Sequence, residues 1–254
     1  MPTLNRDGVD LYYETHGDGP AILLSHGFSA TSEMWRGQIE PLSRRHKLIL
    51  WDMRGHGRSE YPDDPSAYSE EATVADMAAL LDAAGADRAI VGGLSLGGYM
   101  SLAFHRVHPN RVRALLIIDT GPGFKNDEAR ERWNQRSQEY ARRFEQEGLG
   151  YLRSLSPEMA MSTHRSAEGL IRAARGMLTQ RDDRVIRSLP EIRVPSLIVV
   201  GANDTPFLAA ADYMASKISH STKTVIPNAG HSSNIDQPAL FNQAVLEFVE
   251  GLAA

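Results

Sequence analysis

The chain has 254 residues, an ordinary globular composition and a formal net charge of −5 at pH 7. A chain of this length can form one large core, and the charge predicts no basic surface for nucleic acid. No apolar run approaches the length of a membrane span, and the N-terminus lacks the apolar core of a signal peptide, so we expect a cytoplasmic protein. The absence of cysteine excludes disulfides, thiolate nucleophiles and zinc–thiolate sites.

Apolar runs and turn signals alternate along the first half of the chain. Residues 3–16 alternate in polarity around Asp7-Gly8, which predicts a hairpin. Ser69 is expected to cap a helix that runs to Ala84, and Pro109 is expected to stop a later helix. Buried strands are predicted at Ala21–Ser25, Lys47–Trp51, from Ala89 onward and at Arg113–Ile118. This alternation favours a parallel sheet with helices on both faces.

The alternation stops after the sixth strand. From about Gly121 to Pro190 the chain has helical, Arg- and Glu-rich segments and no credible strand. The simplest interpretation is a lid over the strand ends, where such sheets hold ligands, and the alternative is a solvated helical excursion without contact to the site. Strands are expected again at Ser196–Val200 and near Thr222–Ile226. The predicted domains are an α/β core of residues 1–120 and 191–254 and a helical cap of residues 121–190.

A Gly-x-Ser-x-Gly pattern links a predicted strand to a predicted helix. Gly93-Leu94-Ser95-Leu96-Gly97 follows the apolar run that begins at Ala89. In this context the pattern predicts a nucleophile elbow, with Ser95 as the candidate nucleophile. Side chains at Gly93 and Gly97 would collide in so tight a turn. The alternative is a glycine-rich loop that only binds an anion or lets a helix pack closely.

A serine hydroxyl needs an adjacent base, and that base needs an orienting group. His231 lies in a turn-forming stretch before the last predicted helix and is the candidate base. Asp204 follows the strand that ends at Val200 and is the candidate acid. The order Ser, Asp, His is the one expected for a nucleophile on such an elbow. Asp119, after the sixth strand, is a rival acid, although it could instead cap the entry to the lid.

Together these motifs resemble the α/β-hydrolase-fold superfamily along nearly the whole chain. The matching stretches are Ser25-His26-Gly27-Phe28, Asp52-Met53-Arg54-Gly55-His56-Gly57-Arg58-Ser59, Gly93 to Gly97, Asp204 and Gly230-His231. The resemblance implies a mostly parallel eight-stranded sheet and an esterase- or lactonase-like serine hydrolase with a helical lid. It also implies a Ser95–His231–Asp204 triad, with the backbone N–H groups of Phe28 and Leu96 as the oxyanion hole. We expect no cofactor and no metal.

Several side chains have assigned but less specific roles. Candidate pocket residues are Trp35, Phe124 and Met159, with a core position for Trp35 as an equal alternative. Asp52 and Arg54 are interpreted as a buried structural pair, and His26 as a residue that shapes its loop. His105 and His108, one helical turn apart, are interpreted as helix-surface histidines because no third metal ligand is nearby in sequence.

The functional hypothesis is two-step acyl transfer through an acyl-enzyme on small to medium carboxylic esters. Hydrolysis of an enol-lactone or another lactone, and C–C bond hydrolysis of a ring-cleavage product, are alternatives within the same fold. The stretch Phe28-Ser29-Ala30-Thr31 lacks the Gly-rich continuation usual in the C–C hydrolases and so favours them less. A non-catalytic ligand-binding receptor is the alternative from a different class.

Overall fold

The structure is a computed structural model and describes residues 3–252. Its strands are β1 (Thr3–Arg6), β2 (Val9–His16), β3 (Ala21–Ser25), β4 (Lys47–Trp51), β5 (Ala89–Leu94), β6 (Val112–Ile118), β7 (Ser196–Gly201) and β8 (Ser221–Ile226). They form one sheet in the order β1-β2-β4-β3-β5-β6-β7-β8. β2 pairs antiparallel with β1 and β4, and the other neighbours pair in parallel. The predicted mostly parallel, eight-stranded sheet is confirmed.

The helices lie mainly between the parallel strands. Within residues 3–252 they are α1 (Arg36–Ser43), α2 (Glu70–Ala83), α3 (Leu96–Val107), α4 (Asp127–Glu147), α5 (Pro157–Ala160), α6 (Ala167–Gly176), α7 (Arg184–Ser188), α8 (Thr205–Lys217), α9 (Ser233–Asp236) and α10 (Pro238–Glu250). Short 3-10 turns occupy Ser32–Trp35, Pro65–Ala67, Pro109–Arg111, Gly148–Ser154 and Leu189–Glu191. No helix among the described residues is both long and apolar enough to cross a membrane.

Local sequence explains where several elements begin and turn. Asp7 and Gly8 both have positive φ, as the tight turn of the β1–β2 hairpin requires. The Ser69 side chain accepts a hydrogen bond from the amide of Ala72 and caps α2 as predicted. The N-cap residue of α8 is Asp204, but its side chain makes no capping hydrogen bond and contacts His231 instead.

Two apolar layers cover the sheet. Because successive side chains of a strand point to opposite faces, the central strands bury residues on both. Leu23 and Ile49 belong to the layer that includes α2, α3 and α8. Ile22 and Leu48 belong to the opposite layer, with α1 and α10. This arrangement holds the sheet between helices and leaves the carboxyl ends of β3, β5, β7 and β8 at one edge.

The chain between β6 and β7 contains only helices and loops among the described residues. Helices α4 and α6 of this segment pack against each other, and Phe144, Leu170 and Ala173 belong to the same apolar layer as α2 and α3. We propose that residues 121–190 form a cap over the strand ends.

Candidate active site

Ser95 stands on the turn between β5 and α3. Its φ of 55° and ψ of −115° place a non-glycine residue in the left-handed region, which stores backbone strain. The turn is held by hydrogen bonds from the Ser95 amide to the carbonyl of Ile118 and from the Thr120 hydroxyl to the carbonyl of Ser95, at 2.9 and 2.6 Å. This conformation turns the serine side chain toward a cavity at the strand ends.

The two glycines of the elbow are required by close backbone contacts. A Cβ atom at Gly93 would come within 2.5 Å of the backbone of Gly97 and of the Ser25 carbonyl oxygen. A Cβ at Gly97 would collide with the same Ser25 oxygen. Since neither neighbour is a flexible side chain, no local adjustment relieves these contacts.

His231 and Asp204 come together although they follow different strands. The Nδ1 atom of His231 lies 2.8 Å from Oδ2 of Asp204, and the Asp204 side chain is 5% exposed. Phe207 stacks on the imidazole with ring centroids 4.9 Å apart. Ser95 and His231 line the same cavity, and among the described residues no hydrogen bond joins the Ser95 hydroxyl to the imidazole.

Charge near His231 favours its protonated form. Burial by itself lowers the pKa of His231, but the hydrogen bond and charge of Asp204, with the charges of Asp119 and Glu158, outweigh that effect. The pKa of His231 is therefore raised above its ordinary value of 6.5. An imidazole in this setting is suited to accept a proton and to hold the resulting charge.

Asp119, the rival acid, binds backbone rather than the imidazole. Its carboxylate accepts hydrogen bonds from the amide of Gly201 at 2.8 Å and from the amide and hydroxyl of Ser233. Burial raises the pKa of Asp119 to about 7 although these hydrogen bonds oppose the shift. Asp119 thus joins the end of β7 to the loop after His231, so the expectation that it caps the lid entry is wrong.

The two expected oxyanion donors sit beside the serine. Leu96 is the first residue of α3, and Phe28 follows β3 and lines the cavity with Ser95. The hydrogen bonds of the described residues include no acceptor for either amide. Ser29, directly after Phe28, has a φ of 53°. Two free N–H groups beside a serine are what a developing oxyanion requires.

Two imidazoles hold the strained Ser29 peptide in place. Nε2 of His56 accepts the Ser29 amide at 3.2 Å, while Nε2 of His164 lies 3.0 Å from the Ser29 carbonyl oxygen. Nδ1 of His164 accepts the amide of Gly57, so Nε2 carries the proton that it donates to Ser29. Burial lowers the pKa of His164 to about 4. We call this group, His56, His164 and Ser29, the Ser29 clasp.

Two cavities meet at Ser95. The wide cavity, of about 430 Å³, is a size that suits a small molecule. It is lined by Ser95, Asp204 and His231 and by mostly apolar side chains, among them Phe28, Phe124, Trp133, Arg136, Tyr140, Met159 and Phe207. The narrow cavity, of about 110 Å³, is lined by Ser95, Leu96, Tyr99, Thr120, Phe124, Gln180 and neighbouring residues. Space therefore reaches Ser95 from two cavities.

Two of the three expected pocket residues line the cavities, and the third does not. Phe124 lines both cavities and Met159 lines the wide one. Trp35 lines neither cavity. It is fully buried in the apolar layer on the other face of the sheet, where the centroids of its ring and the ring of Phe241 lie 6.4 Å apart. The expectation of Trp35 as a pocket residue is wrong, because its aromatic side chain fills the core between α1 and α10.

The interpretation of Asp52 and Arg54 as a pair is also wrong. Arg54 makes two hydrogen bonds to Asp76, at 2.6 and 2.8 Å, and both side chains are buried. Asp52 instead accepts the amides of Ser32 and Arg58. The sequence could not distinguish these partners, because Asp76 lies on α2 and is brought to Arg54 only by folding.

The other histidines divide between loop and helix. His26 shapes its loop as expected, since its Nε2 accepts the amide of Met53 at 2.9 Å. His105 is buried rather than on the helix surface, and His108 is partly exposed. Within residues 3–252 no group of three His, Asp or Glu side chains is placed to hold a metal ion.

Glu158 is a buried acid near His231 that the sequence did not indicate. It lies in α5, is 0% exposed and accepts hydrogen bonds from the hydroxyls of Ser156 and Ser232. Ser232 directly follows His231, so Glu158 ties the segment between β6 and β7 to the loop of the candidate base. Locally the residue has the pattern of an ordinary acid in a first helical turn, so nothing in the sequence around it signals its position in the site.

Comparison with known proteins agrees with the fold. The family model described as alpha/beta hydrolase fold matches residues 20–183. A putative carbamate hydrolase, RutD, of Azorhizobium caulinodans is 44% identical over 119 residues, which cover 47% of this chain and 44% of that protein, so the match spans less than half of the relative. 3-Oxoadipate enol-lactonase 2 of Acinetobacter baylyi is 30% identical, over 96% of this chain and 94% of its own.

Among solved structures, a thermophilic esterase from Thermogutta terrifontis, with malate bound, is similar over 99% of this chain and 97% of its own. Its TM-score is 0.83 and its sequence identity 30%. The chain therefore belongs to the alpha/beta hydrolase fold family, and it is a hydrolase.

Proposed function

We propose that the protein hydrolyses small to medium carboxylic esters through an acyl-enzyme formed on Ser95. The observation that carries this proposal is the 2.8 Å contact between His231 and Asp204 on the cavity that Ser95 lines. In this mechanism His231 removes the proton of Ser95 as its oxygen attacks the ester carbonyl. The same imidazole then protonates the leaving alcohol and later activates water to release the acid.

The remaining groups have supporting roles in the proposal. Asp204 holds the imidazole with Nδ1 protonated and stabilises its cationic form. The amides of Phe28 and Leu96 would donate to the oxyanion, and each such donor contributes about 3 kcal/mol in comparable enzymes. The mostly apolar wide cavity would take the larger group of the ester.

Lactone hydrolysis is the second candidate. It is favoured by the likeness, along nearly the whole chain, to a relative named as an enol-lactonase. A lactone is an internal ester, so the same nucleophile and base would serve both substrates. A screen of aliphatic esters of increasing chain length alongside lactones separates the two activities by kcat/KM.

The deciding test is turnover of a 4-nitrophenyl ester by the wild-type protein and by Ser95→Ala. We expect a pre-steady-state burst that a serine-directed organophosphate blocks, and a loss in kcat on the order of 10⁶-fold in the variant. Thermal unfolding should show that Ser95→Ala is folded. Turnover that persists near the wild-type rate would remove Ser95 from its role, and the absence of both turnover and adduct in the wild type would contradict the acyl-enzyme proposal.

A further inference from the structure

Helix α4 carries one arginine that has no acidic partner. Four of its five arginines form ion pairs with acids one turn away on the same helix: Arg130 with Asp127, Arg132 with Glu128, Arg142 with Glu139 and Arg143 with Glu147. The fifth, Arg136, makes no ion pair with any of the described residues. It is exposed, and it is the one arginine of α4 that lines the wide cavity. Its charge is therefore accessible to a ligand in that cavity.

Tyr140 lies one helical turn after Arg136 and lines the same cavity. The Cζ atom of Arg136 lies 5.9 Å from the centroid of the Tyr140 ring. That ring is held by Phe28 and Tyr151, whose ring centroids are 5.6 and 6.5 Å from its own. The Tyr140 hydroxyl has no hydrogen-bond partner among the described residues and is not among their buried polar atoms. The guanidinium and the hydroxyl thus present free hydrogen-bond donors on the same stretch of the cavity wall.

The other polar side chains that the segment between β6 and β7 contributes to the wide cavity are already occupied. The Nε1 atom of Trp133 donates to a backbone carbonyl at 2.7 Å, and the Ser156 hydroxyl donates to the carboxylate of Glu158. Beyond the candidate catalytic residues, the side-chain donors left for a ligand are therefore those of Arg136 and Tyr140.

The charges around the wide cavity favour an anion beside Arg136. Among the described residues that line it, Arg136 is the one side chain with a permanent positive charge. At the candidate catalytic residues the fixed charge is negative, because Asp204 contacts His231 there and Glu158 is buried nearby. Attraction and repulsion together would orient an anionic group toward Arg136 and away from the reacting carbonyl. The mostly apolar wall screens such a charge pair less than open solvent does.

We propose that Arg136 and Tyr140 bind a carboxylate at the end of the larger arm of the substrate, away from the ester that Ser95 attacks. This inference rests on the proposed ester hydrolysis and names its substrate class: carboxylic esters that carry a free carboxylate. A guanidinium is suited to this group because its N–H donors match the geometry of a carboxylate. A carboxamide of the same shape lacks the charge, and so it binds less well.

The test uses esters that differ only in this terminal group. The acyl pair is monoethyl hexanedioate and ethyl 6-amino-6-oxohexanoate, and the alcohol pair is 5-acetoxypentanoate and 5-acetoxypentanamide. In one of the pairs the wild-type protein should prefer the carboxylate by about 3- to 20-fold in kcat/KM, measured by acid release. The pair that shows the preference identifies which half of the ester carries the charge.

Variants on α4 separate the charge from a general disturbance. In Arg136→Gln the ratio should fall to one or below, whereas Arg136→Lys keeps a positive charge and should retain part of the preference. Tyr140→Phe keeps the ring contacts and should lower the ratio by about 2- to 5-fold. Arg132→Gln is the matched control, because Arg132 is exposed on the same helix and lines neither cavity. Its ratio should equal that of the wild type.

Salt gives an independent measurement of the same contact. Raising the ionic strength from about 0.05 to 0.5 M screens the attraction between Arg136 and a carboxylate at the exposed side of the cavity. The preference of the wild type should therefore decrease with salt, and the decrease should be smaller in Arg136→Gln. A wild-type preference that does not change with salt would contradict a charge contact.

A binding measurement keeps this inference distinct from the proposed reaction. Calorimetric titration of Ser95→Ala with the same four esters requires no turnover. Tighter binding of one carboxylate compound, lost when Arg136→Gln is added, supports the inference even if the wild type hydrolyses none of the esters. Equal values within both pairs in kinetics and binding, or a preference unchanged by Arg136→Gln, would overturn it and leave the esterase proposal standing.

Discussion

At the scale of single residues, the environment of His231 determines how the activity should depend on pH. A base must be neutral to accept a proton, and the hydrogen bond and charge of Asp204 raise the pKa of His231 above 6.5 despite burial. Because the raised pKa means that the imidazole gains its proton at higher pH, activity should already decline on acidification above pH 6.5. The acidic limb of kcat/KM for a 4-nitrophenyl ester, measured from pH 5 to 9, should have its midpoint above that value. A midpoint at or below 6.5 would contradict this account of the site.

The two carboxylates near His231 offer a matched comparison. Asp204 contacts the imidazole directly, whereas Asp119 acts on it through charge and through the backbone of Gly201 and Ser233. Asp204→Asn should lower kcat by roughly 10³- to 10⁴-fold, because the amide favours the wrong tautomer. Asp119→Asn should lower kcat by about 2- to 10-fold, as expected for the loss of a supporting hydrogen bond.

The pH profile gives this comparison a second measurement. Asp204→Asn removes both a hydrogen bond and a charge from His231, while Asp119→Asn removes only a charge. The midpoint of the acidic limb should therefore move down further in Asp204→Asn than in Asp119→Asn. Equal losses of kcat in the two variants would mean that Asp119 orients the imidazole as much as Asp204 does.

At the scale of elements, the elbow should tolerate no added methyl group. In Gly97→Ala the new Cβ meets the Ser25 carbonyl oxygen, and we expect a destabilisation of about 1–3 kcal/mol from this overpacking. For a chain of this size that corresponds to a fall in Tm of roughly 2–12 °C. Gly150→Ala is the control, since nothing lies within 4 Å of a Cβ at that position. Calorimetry should show Gly150→Ala close to the wild type, and equal Tm values for the two variants would contradict the packing argument.

The elements that carry Ser95, Asp204 and His231 could be predicted because each follows a short strand with its own local signal. The strained turn of the elbow is signalled locally by Gly93 and Gly97, although the backbone that a Cβ at Gly97 would meet belongs to Ser25 and His26 at the end of β3. The same local logic failed for Trp35, because an aromatic residue in an apolar pattern looks alike in a core and in a pocket wall. It failed also for Asp52 and Arg54, whose proximity in sequence does not make them a pair.

Contacts between distant parts of the chain could not be predicted from the sequence. Glu158 meets Ser232 across 74 residues, and His164 meets Ser29 across 135. Neither contact leaves a pattern in the residues around it, since a buried acid or histidine is defined by what folds against it. The segment between β6 and β7 could thus be predicted as helical, whereas the side chains that it brings to the strand ends could not.

At the scale of the whole molecule, buried neutral histidines link the segment between β6 and β7 to the core. His26, His56 and His164 lie ring to ring, with centroids 4.9 and 5.8 Å apart. Burial lowers the pKa of His26 and His164, and burial together with the neighbouring imidazoles holds the pKa of His56 well below 6.5. If His164 were protonated, Nδ1 could no longer accept the amide of Gly57, so the Ser29 clasp needs neutral imidazole.

The direction of the resulting pH dependence follows from proton uptake. As the pH falls through 6.5, the unfolded chain binds a proton at His164, whereas the folded protein does not until about pH 4. The stability that neutral His164 contributes is therefore fully present above pH 6.5 and is lost progressively toward pH 4. His164 alone can account for up to about 3 kcal/mol of this loss.

Urea unfolding at a series of pH values between 4 and 7 measures this dependence. His164 contributes a fall in the free energy of unfolding as the pH decreases below 6.5, whereas Asp119 and His231, whose pKa values are raised, contribute in the opposite direction. His164→Gln removes only the first contribution, so on acidification its free energy of unfolding should fall less, or rise more, than that of the wild type. His220→Gln, at an exposed histidine, should keep the wild-type slope. If His164→Gln and His220→Gln have the same slope, the Ser29 clasp does not depend on a neutral His164, because only a group that takes up its proton differently in the folded and unfolded states can change that slope.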